Sequence, residues 1–180
     1  MQRYTFEFLD PILLFLLLLA DSHLSQFLSA LTGNLLMPVT HLSLIVLMYS
    51  VTKHRLPFLM SVTVALGLIY DSYFIGVLGL ASALFPLAAL FLYEIREIVY
   101  HSRWTRVVSG IIVVFVFETL LPTLEVLFGL AHVSLAHFVT YQLAPTLLVN
   151  ILLTFLLLWP LEKLYNLRRI KEESPELLEN

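Results

Sequence analysis

Residues 144–164 read APTLLVNILLTFLLLWPLEKL, and this stretch decides the class of protein. It is long and apolar enough for a membrane-spanning helix, which needs about 20 residues. Across all 180 residues, 59% are hydrophobic and only 13% are charged. A water-soluble chain of this size could not bury so much apolar surface, and a disordered chain would be far more polar. The sequence therefore predicts an integral membrane protein.

Similar apolar stretches recur along the chain. We expect six membrane-spanning segments, at about 9–31, 35–52, 57–71, 74–93, 107–128 and 143–163. The first is interpreted as a mature span rather than a cleaved signal, because Arg3 is outnumbered by Glu7 and Asp10. The prediction is an all-α, polytopic membrane protein. Residues 1–165 form one compact bundle of six transmembrane helices, and residues 166–180 form a charged cytoplasmic tail.

The basic residues indicate the orientation. All ten lie before the first segment, between the second and third, between the fourth and fifth, or after the sixth: Arg3; Lys53 and Arg55; Arg96, Arg103 and Arg106; and Lys163, Arg168, Arg169 and Lys171. Basic residues are retained on the cytoplasmic side of a membrane. Both termini are therefore predicted to be cytoplasmic, which requires an even number of spans.

Residues 67–79 read GLIYDSYFIGVLG, and small residues continue from there into the fourth segment. Ser72, Gly76, Gly79 and Ala83 recur every three or four residues, which predicts a stripe of small side chains on one helical face. Such a stripe allows close helix packing, either within the bundle or against another protein's span. Asp71 is placed to cap the fourth helix, with ligand contact as an alternative.

The fifth segment contains two acidic residues and the sixth contains one amide. Glu118 and Glu125 are seven residues apart and share a helical face. Counting from the basic ends of the two segments places Glu118 and Asn150 at similar depth. A hydrogen bond between a protonated Glu118 and Asn150 is predicted to clasp the two helices. A proton relay or a ligand contact is the alternative, because ionisable groups inside membranes are costly and often functional.

Motifs for catalysis and metal binding are missing from the sequence. His132 and His137 are five residues apart, which does not place two ligands on one helical face. The chain has no cysteine, and the signatures HExxH, GxSxG and GxxxxGK[ST] do not occur. We therefore expect no enzyme activity, no cofactor and no metal. No basic stripe suits nucleic acid, so nucleic-acid binding is not expected.

The stretch GLIYDSYFIGVLG, together with the sixth segment quoted above, resembles the MreD family of rod shape-determining membrane proteins. The resemblance covers nearly the whole chain, although its motif is loose. The matching positions are Gly67, Asp71, Gly76 and Gly79 in the hairpin, and Pro145, Asn150 and Pro160 in the sixth segment.

The resemblance implies a non-enzymatic scaffold in the bacterial inner membrane that regulates cell shape within the peptidoglycan synthesis machinery. Its implied partners are an MreC-like single-span protein, RodA, a transpeptidase penicillin-binding protein and MreB, besides the lipid bilayer. Contacts are expected along span four and at the outer part of span one, residues 21–26.

The fold of the family is similar to the vitamin-binding S-components of transporters, which supplies an alternative function. Residues that could line an outward-facing vitamin site are Asp21, His23, Asp71, Tyr73, His137, Tyr141 and Gln142. S-components usually dock their transporter through an AxxxA pattern in the first span. The corresponding stretch here, PILLFLLLLA, lacks that pattern.

Overall fold

The computed structural model describes residues 2–132 and 134–165. The predicted charged tail, residues 166–180, lies outside the described residues. The described part of the chain is helical and contains no strand, which confirms the all-α class.

Eight helices follow one another along the described chain. Their bounds are α1 Gln2–Leu31, α2 Leu42–Ser50, α3 Leu56–Tyr70, α4 Leu80–Glu94, α5 Arg96–His101, α6 Arg103–Leu127, α7 Leu135–Phe138 and α8 Ala144–Leu164. Two π-helical turns extend this pattern. The first, Asp71–Ile75, prolongs α3, and the second, Val139–Leu143, joins α7 to α8.

Four helical stretches of the described chain are long and apolar enough to cross a membrane: Leu9–Leu31, Leu56–Ile75, Arg103–Leu127 and Leu135–Leu164. The other two predicted spans are shorter as helices. In the second segment, only Leu42–Ser50 is helical, and in the fourth the helix begins at Leu80. Six crossings therefore remain a prediction.

Local chain chemistry explains both late starts. Gly33 and Asn34 have positive φ angles of 61° each and end α1. Pro38 follows, and a proline disfavours helical geometry at the residue before it. In the second case Gly76 and Gly79 have φ angles of 73° and 122°, which glycine adopts easily and which exclude a continuous helix.

The core of the bundle is α2. Its residues from Ser43 to Ser50 are all buried, and it packs against α1, α4, α6 and α8. A helix that is apolar on every side is buried on every side. Nine residues extend only about 14 Å, less than half of the hydrocarbon thickness. Both ends of α2 consequently lie inside the protein, and polar side chains surround each end.

Candidate functional site

Residues 36–41, here called the re-entrant segment, return from the end of α1 toward the middle of the bundle. The segment is not helical, so its backbone groups need partners from elsewhere. Thr40 lies against α1, where its N–H donates to Oγ of Ser25 at 2.9 Å and its hydroxyl to the carbonyl of Asp21 at 3.0 Å. Asp21 is ten residues, or about 15 Å, before the end of α1.

The carboxylate of Asp21 caps α2. Its Oδ1 accepts the N–H of Leu42 at 2.6 Å, and its Oδ2 accepts the N–H and the hydroxyl of Ser43 at 3.0 and 2.9 Å. The first N–H groups of a helix have no partner within the helix, and its positive end attracts an anion. Because Asp21 and Ser25 turn inward, they are not on an outer contact surface. Within the predicted contact at residues 21–26, His23 and Gln26 are exposed, and contact with a partner stays a prediction for them.

The other side of the re-entrant segment is held by α8. The side chain of Asn150 accepts the N–H of His41 at 2.8 Å and donates to the carbonyl of Val39 at 2.7 Å. Oγ1 of Thr146 accepts the N–H of Val39 at 2.9 Å. Non-helical backbone is tolerated at membrane depth only where the protein satisfies it. Asn150 thus replaces the hydrogen bonds that a helix would have made.

Glu118 binds the side chain of His41 rather than Asn150. Its Oε2 lies 2.8 Å from Nε2 of His41, and its Oε1 accepts Nε2–H of Gln142 at 2.7 Å. The predicted bond between Glu118 and Asn150 is therefore wrong. His41 connects the two side chains: its ring binds Glu118, and its backbone N–H donates to Asn150. The histidine–carboxylate pair could hold or transfer a proton.

Glu125 lines a small cavity beside this pair. The cavity has a volume of about 150 Å³. Its walls include Glu118, Glu125 and Gln142, together with Tyr70 and Pro122. Ligand sites for small molecules usually have 300–1,000 Å³, so this cavity is small for a vitamin. Of the seven residues predicted to line a vitamin site, only Gln142 lines it.

Asp71 caps α4 in the way that Asp21 caps α2. Its Oδ2 accepts the N–H groups of Gly79 and Ser82 at 2.8 and 3.1 Å, and its Oδ1 accepts that of Ala81 at 2.7 Å. The predicted cap is confirmed. Asp71 is fully buried, so its carboxylate is not available to a partner protein.

The predicted small-residue stripe does not form a helical face. Ser72 lies in the π-helical turn, Gly76 and Gly79 lie in the following turn, and only Ala83 lies on α4. All four are exposed, so they do not pack within the bundle, and docking of another protein remains a prediction for them.

The close approach between α3 and α4 occurs at Gly67. A Cβ atom at this position would lie 2.6 Å from the carbonyl oxygen of Ala81 and closer still to Cα of Ser82. Gly67 therefore allows the two backbones to touch, which is the role that the sequence analysis gave to the stripe.

A second polar cluster surrounds the other end of α2, where the basic residues lie. Asp10 of α1 is 3% exposed, and its Oδ2 lies 2.7 Å from Nε2 of His54. Its Oδ1 accepts the hydroxyl of Tyr165, and that hydroxyl is also within 3.2 Å of Oγ of Ser50. Through these bonds Asp10 joins α1 to the loop after α2 and to the end of α8.

Glu162 connects α8 to the beginning of α6. It forms a two-point bond with Arg103, from Nε at 3.1 Å and from Nη2 at 3.0 Å. Nη2 of Arg106 binds Oε1 of the same carboxylate at 2.9 Å. Glu162 itself is 3% exposed, so two arginines neutralise one buried carboxylate.

An apolar groove runs between α4 and α6. It has a volume of about 250 Å³ and is lined by Leu84, Leu87, Ala88 and Phe91 of α4 and by Val113, Val116, Phe117 and Leu120 of α6. Leu87 and Phe91 are about half exposed. The groove can receive side chains of another apolar helix.

Sequence reasoning missed His41, Asp10 and His54. Each is a polar residue beside or within an apolar segment, which was the only signal available. Among the described residues, no group of three or more histidine and acidic side chains could hold a metal ion.

Comparisons with known proteins complete this picture. The chain matches the family described as rod shape-determining protein MreD over residues 2–168. It is also similar to the cell shape-determining protein MreD of Streptococcus pneumoniae, strain ATCC BAA-255 / R6. The two are 31% identical over 147 residues, which cover 82% of this chain and 89% of the relative. No solved structure matches this chain.

Proposed function

The chain belongs to the MreD family of cell shape-determining membrane proteins, and from this premise we propose that it is a non-enzymatic scaffold of the cell-elongation machinery. Its role is in cell shape and its location is the cell membrane. As a scaffold it would hold peptidoglycan-synthesis proteins together through contacts within the bilayer, because helices and short connections form nearly all of the described chain.

One observation carries this proposal: the buried carboxylates all bind groups that fix the fold. Asp21 and Asp71 cap helices, Glu118 binds His41 and Gln142, and Asp10 binds His54. A substrate would need polar groups that are free to bind it, and these four carboxylates instead bind groups of the protein. Here the polar groups fix the helices, and apolar helix surface remains for partners.

The preferred partner is an MreC-like protein with one membrane span, and the α4–α6 groove is its proposed contact. The groove is apolar along its length, and small Ala88 lies among its larger neighbours, so a helix can approach closely. The exposed turn at Gly76 and Gly79, with Ser72 and Ala83 beside it, is the second proposed contact. RodA, a transpeptidase penicillin-binding protein and MreB complete the proposed assembly.

Cross-linking tests this contact. Photoreactive residues at Leu87 and Phe91 should cross-link the span of the MreC-like protein in intact cells. Leu152 and Leu156 on α8 are similarly exposed and provide matched control positions. Equal yields from the two helices would contradict the groove, and no product from any position would contradict the partner.

Six crossings with both termini in the cytoplasm are also proposed. The re-entrant segment and α2 together would form the second crossing, and α4 the fourth. This topology agrees with the described basic side chains, which lie in the α2–α3 loop, around α5 and at the end of α8. Fusions of alkaline phosphatase and of a fluorescent protein to Asn180 would test it. Phosphatase activity at this terminus would contradict the topology.

The S-component alternative has less support. The family match favours a role in cell shape, and the polar cavity is small for a vitamin. Tight, saturable binding of a vitamin by the purified protein, together with normal cell shape in its absence, would favour the transporter role.

A further inference from the structure

Both tryptophans of the chain lie at the same junction of α6 and α8. Trp104 is the second residue of α6, and Trp159 lies near the end of α8. They are 71% and 62% exposed, so their rings face the surroundings of the bundle. Tryptophan side chains concentrate at the level of lipid headgroups, because the ring is apolar and the N–H needs a polar partner. The pair thus indicates where the headgroups meet this part of the protein.

Cationic side chains outnumber carboxylates at this junction. Arg103 and Arg106 bind Glu162, and Lys163 follows Glu162 in the chain. We call these four residues and the two tryptophans the basic seam. The side chain of Arg103 is 55% exposed although it binds Glu162, so part of its guanidinium remains accessible. Nζ of Lys163 lies 5.7 Å from the ring centre of Trp159, which holds a second cation at the surface. The positive end of the α6 dipole adds to the attraction for an anion.

Apolar surface continues from the basic seam toward the middle of the membrane. The ring of Phe155 meets that of Trp104 edge-on at 6.2 Å. Further exposed apolar side chains on the two helices are Val108, Ile112 and Phe115 of α6, and Leu148, Leu152 and Leu156 of α8. A ligand with an anionic head and long apolar chains would match both parts of this surface.

We propose that the basic seam is a binding site for an anionic phospholipid. The phosphate group binds Arg103 and Lys163 between the two tryptophans, and the acyl chains lie along the exposed faces of α6 and α8. A zwitterionic lipid would bind more weakly, because its own cationic group would be repelled by Arg103 and Lys163. A soluble phosphate ion would also bind more weakly, because it has no acyl chains to contact the apolar faces. Basic pockets between transmembrane helices are suited to anionic headgroups for the same reasons.

Intrinsic fluorescence provides a direct test, because both tryptophans report from the seam itself. The protein is reconstituted into mixed vesicles of phosphatidylcholine and a minor fraction of phosphatidylglycerol, with brominated acyl chains on one lipid or the other. Bromine quenches only tryptophans that it contacts. If the lipids mixed at random around the protein, brominated phosphatidylglycerol would quench in proportion to its share of the bilayer. We expect its quenching to be several times stronger than that. Quenching in proportion to bulk composition would overturn the proposal.

Variants localise the effect. Arg103→Gln and Lys163→Gln should each reduce the preference for phosphatidylglycerol about fivefold, the size expected for one basic contact with an anionic membrane surface. Arg55→Gln, which removes an exposed arginine at the start of α3, should leave the preference unchanged. An undiminished preference in the double variant would overturn the assignment to the seam. Displacement of the lipid by inorganic phosphate would show a site for soluble anions and would overturn it as well.

Discussion

The two ends of α2 are both buried among polar side chains, but these side chains bind different kinds of groups. At the first end, Asp21 and Asn150 bind backbone N–H and C=O groups of the re-entrant segment and of α2. At the second end, Asp10 and Glu162 bind other side chains: His54, Tyr165 and two arginines. We call these groups the re-entrant cluster and the basic-end cluster.

This difference determines what each cluster does for the fold. A backbone group cannot be removed from the chain, so loss of its partner leaves a buried polar group without a hydrogen bond. A pair of side chains, in contrast, can be replaced together by apolar groups at little cost. The re-entrant cluster should therefore decide whether α2 can begin inside the bundle, whereas the basic-end cluster should only adjust how firmly the helix ends are joined.

The largest effect is expected from Asp21→Ala. This change leaves the N–H groups of Leu42 and Ser43 without their acceptor, so we expect a loss of several kcal/mol in the free energy of unfolding. Folded yield in mild detergent, measured by size-exclusion chromatography, should fall sharply. His23→Ala changes an exposed neighbour on α1 and is the control. Equal yields from the two variants would show that Asp21 is not needed to start α2.

The second-largest effect is expected from Gly67→Ala. This substitution leaves every polar group in place, so it tests helix packing instead. The added methyl group would overlap the backbone of α4 at Ala81 and Ser82, so the two helices must separate. Overpacking of this kind costs about 2–3 kcal/mol. Gly110→Ala is a matched control, since its Cβ would meet its nearest atoms at an ordinary 3.8 Å. Thermal unfolding in detergent should separate the two variants, and equal midpoints would contradict close contact at Gly67.

Glu118→Leu should have a smaller effect. It removes the partner of both the His41 ring and Gln142, but it leaves the backbone bonds of the re-entrant segment intact. Hydrogen bonds between membrane helices average well below 2 kcal/mol, so we expect a loss of about 1 kcal/mol. A loss of stability as large as that of Asp21→Ala would mean that side-chain partners matter as much for the fold as backbone partners.

The smallest effect is expected from Tyr165→Phe, in the basic-end cluster. The change removes one hydroxyl donor to Asp10, and His54 still binds this carboxylate. Stability should fall by about 0.5 kcal/mol, close to the average measured for one hydrogen bond between membrane helices. A loss as large as that of Asp21→Ala would mean that the basic-end cluster matters as much as the re-entrant cluster.

The sequence was sufficient to predict the helical membrane class and the capping role of Asp71, because both depend on nearby residues. Asp71 is only eight to eleven residues from the N–H groups that it binds. His41, in contrast, is 77 residues from Glu118 and 109 from Asn150. Depth counting placed Glu118 and Asn150 at one level, but it could not show that a third segment lies between them.

The prediction that the small residues form a stripe on one helical face was wrong for a different reason. Glycines three residues apart fit both a packed helix and a tight turn, and spacing alone does not distinguish them. The positive φ angles at Gly76 and Gly79 show that these residues form a turn. In the second segment the helix begins only at Leu42, because hydropathy does not reveal that the residues before it are not helical and are bound by side chains.

We propose that the buried polar groups fix the structure and carry no proton or substrate. The variant Glu118→Gln provides the test, in a strain that lacks its own MreD and is scored for cell shape. Glutamine keeps one acceptor for its neighbours and cannot exchange a proton at physiological pH. We predict that this variant, at normal amounts in the membrane, restores cell shape as well as the unchanged protein. Failure to restore shape at normal amounts would contradict the claim and favour a proton relay through His41 and Glu118.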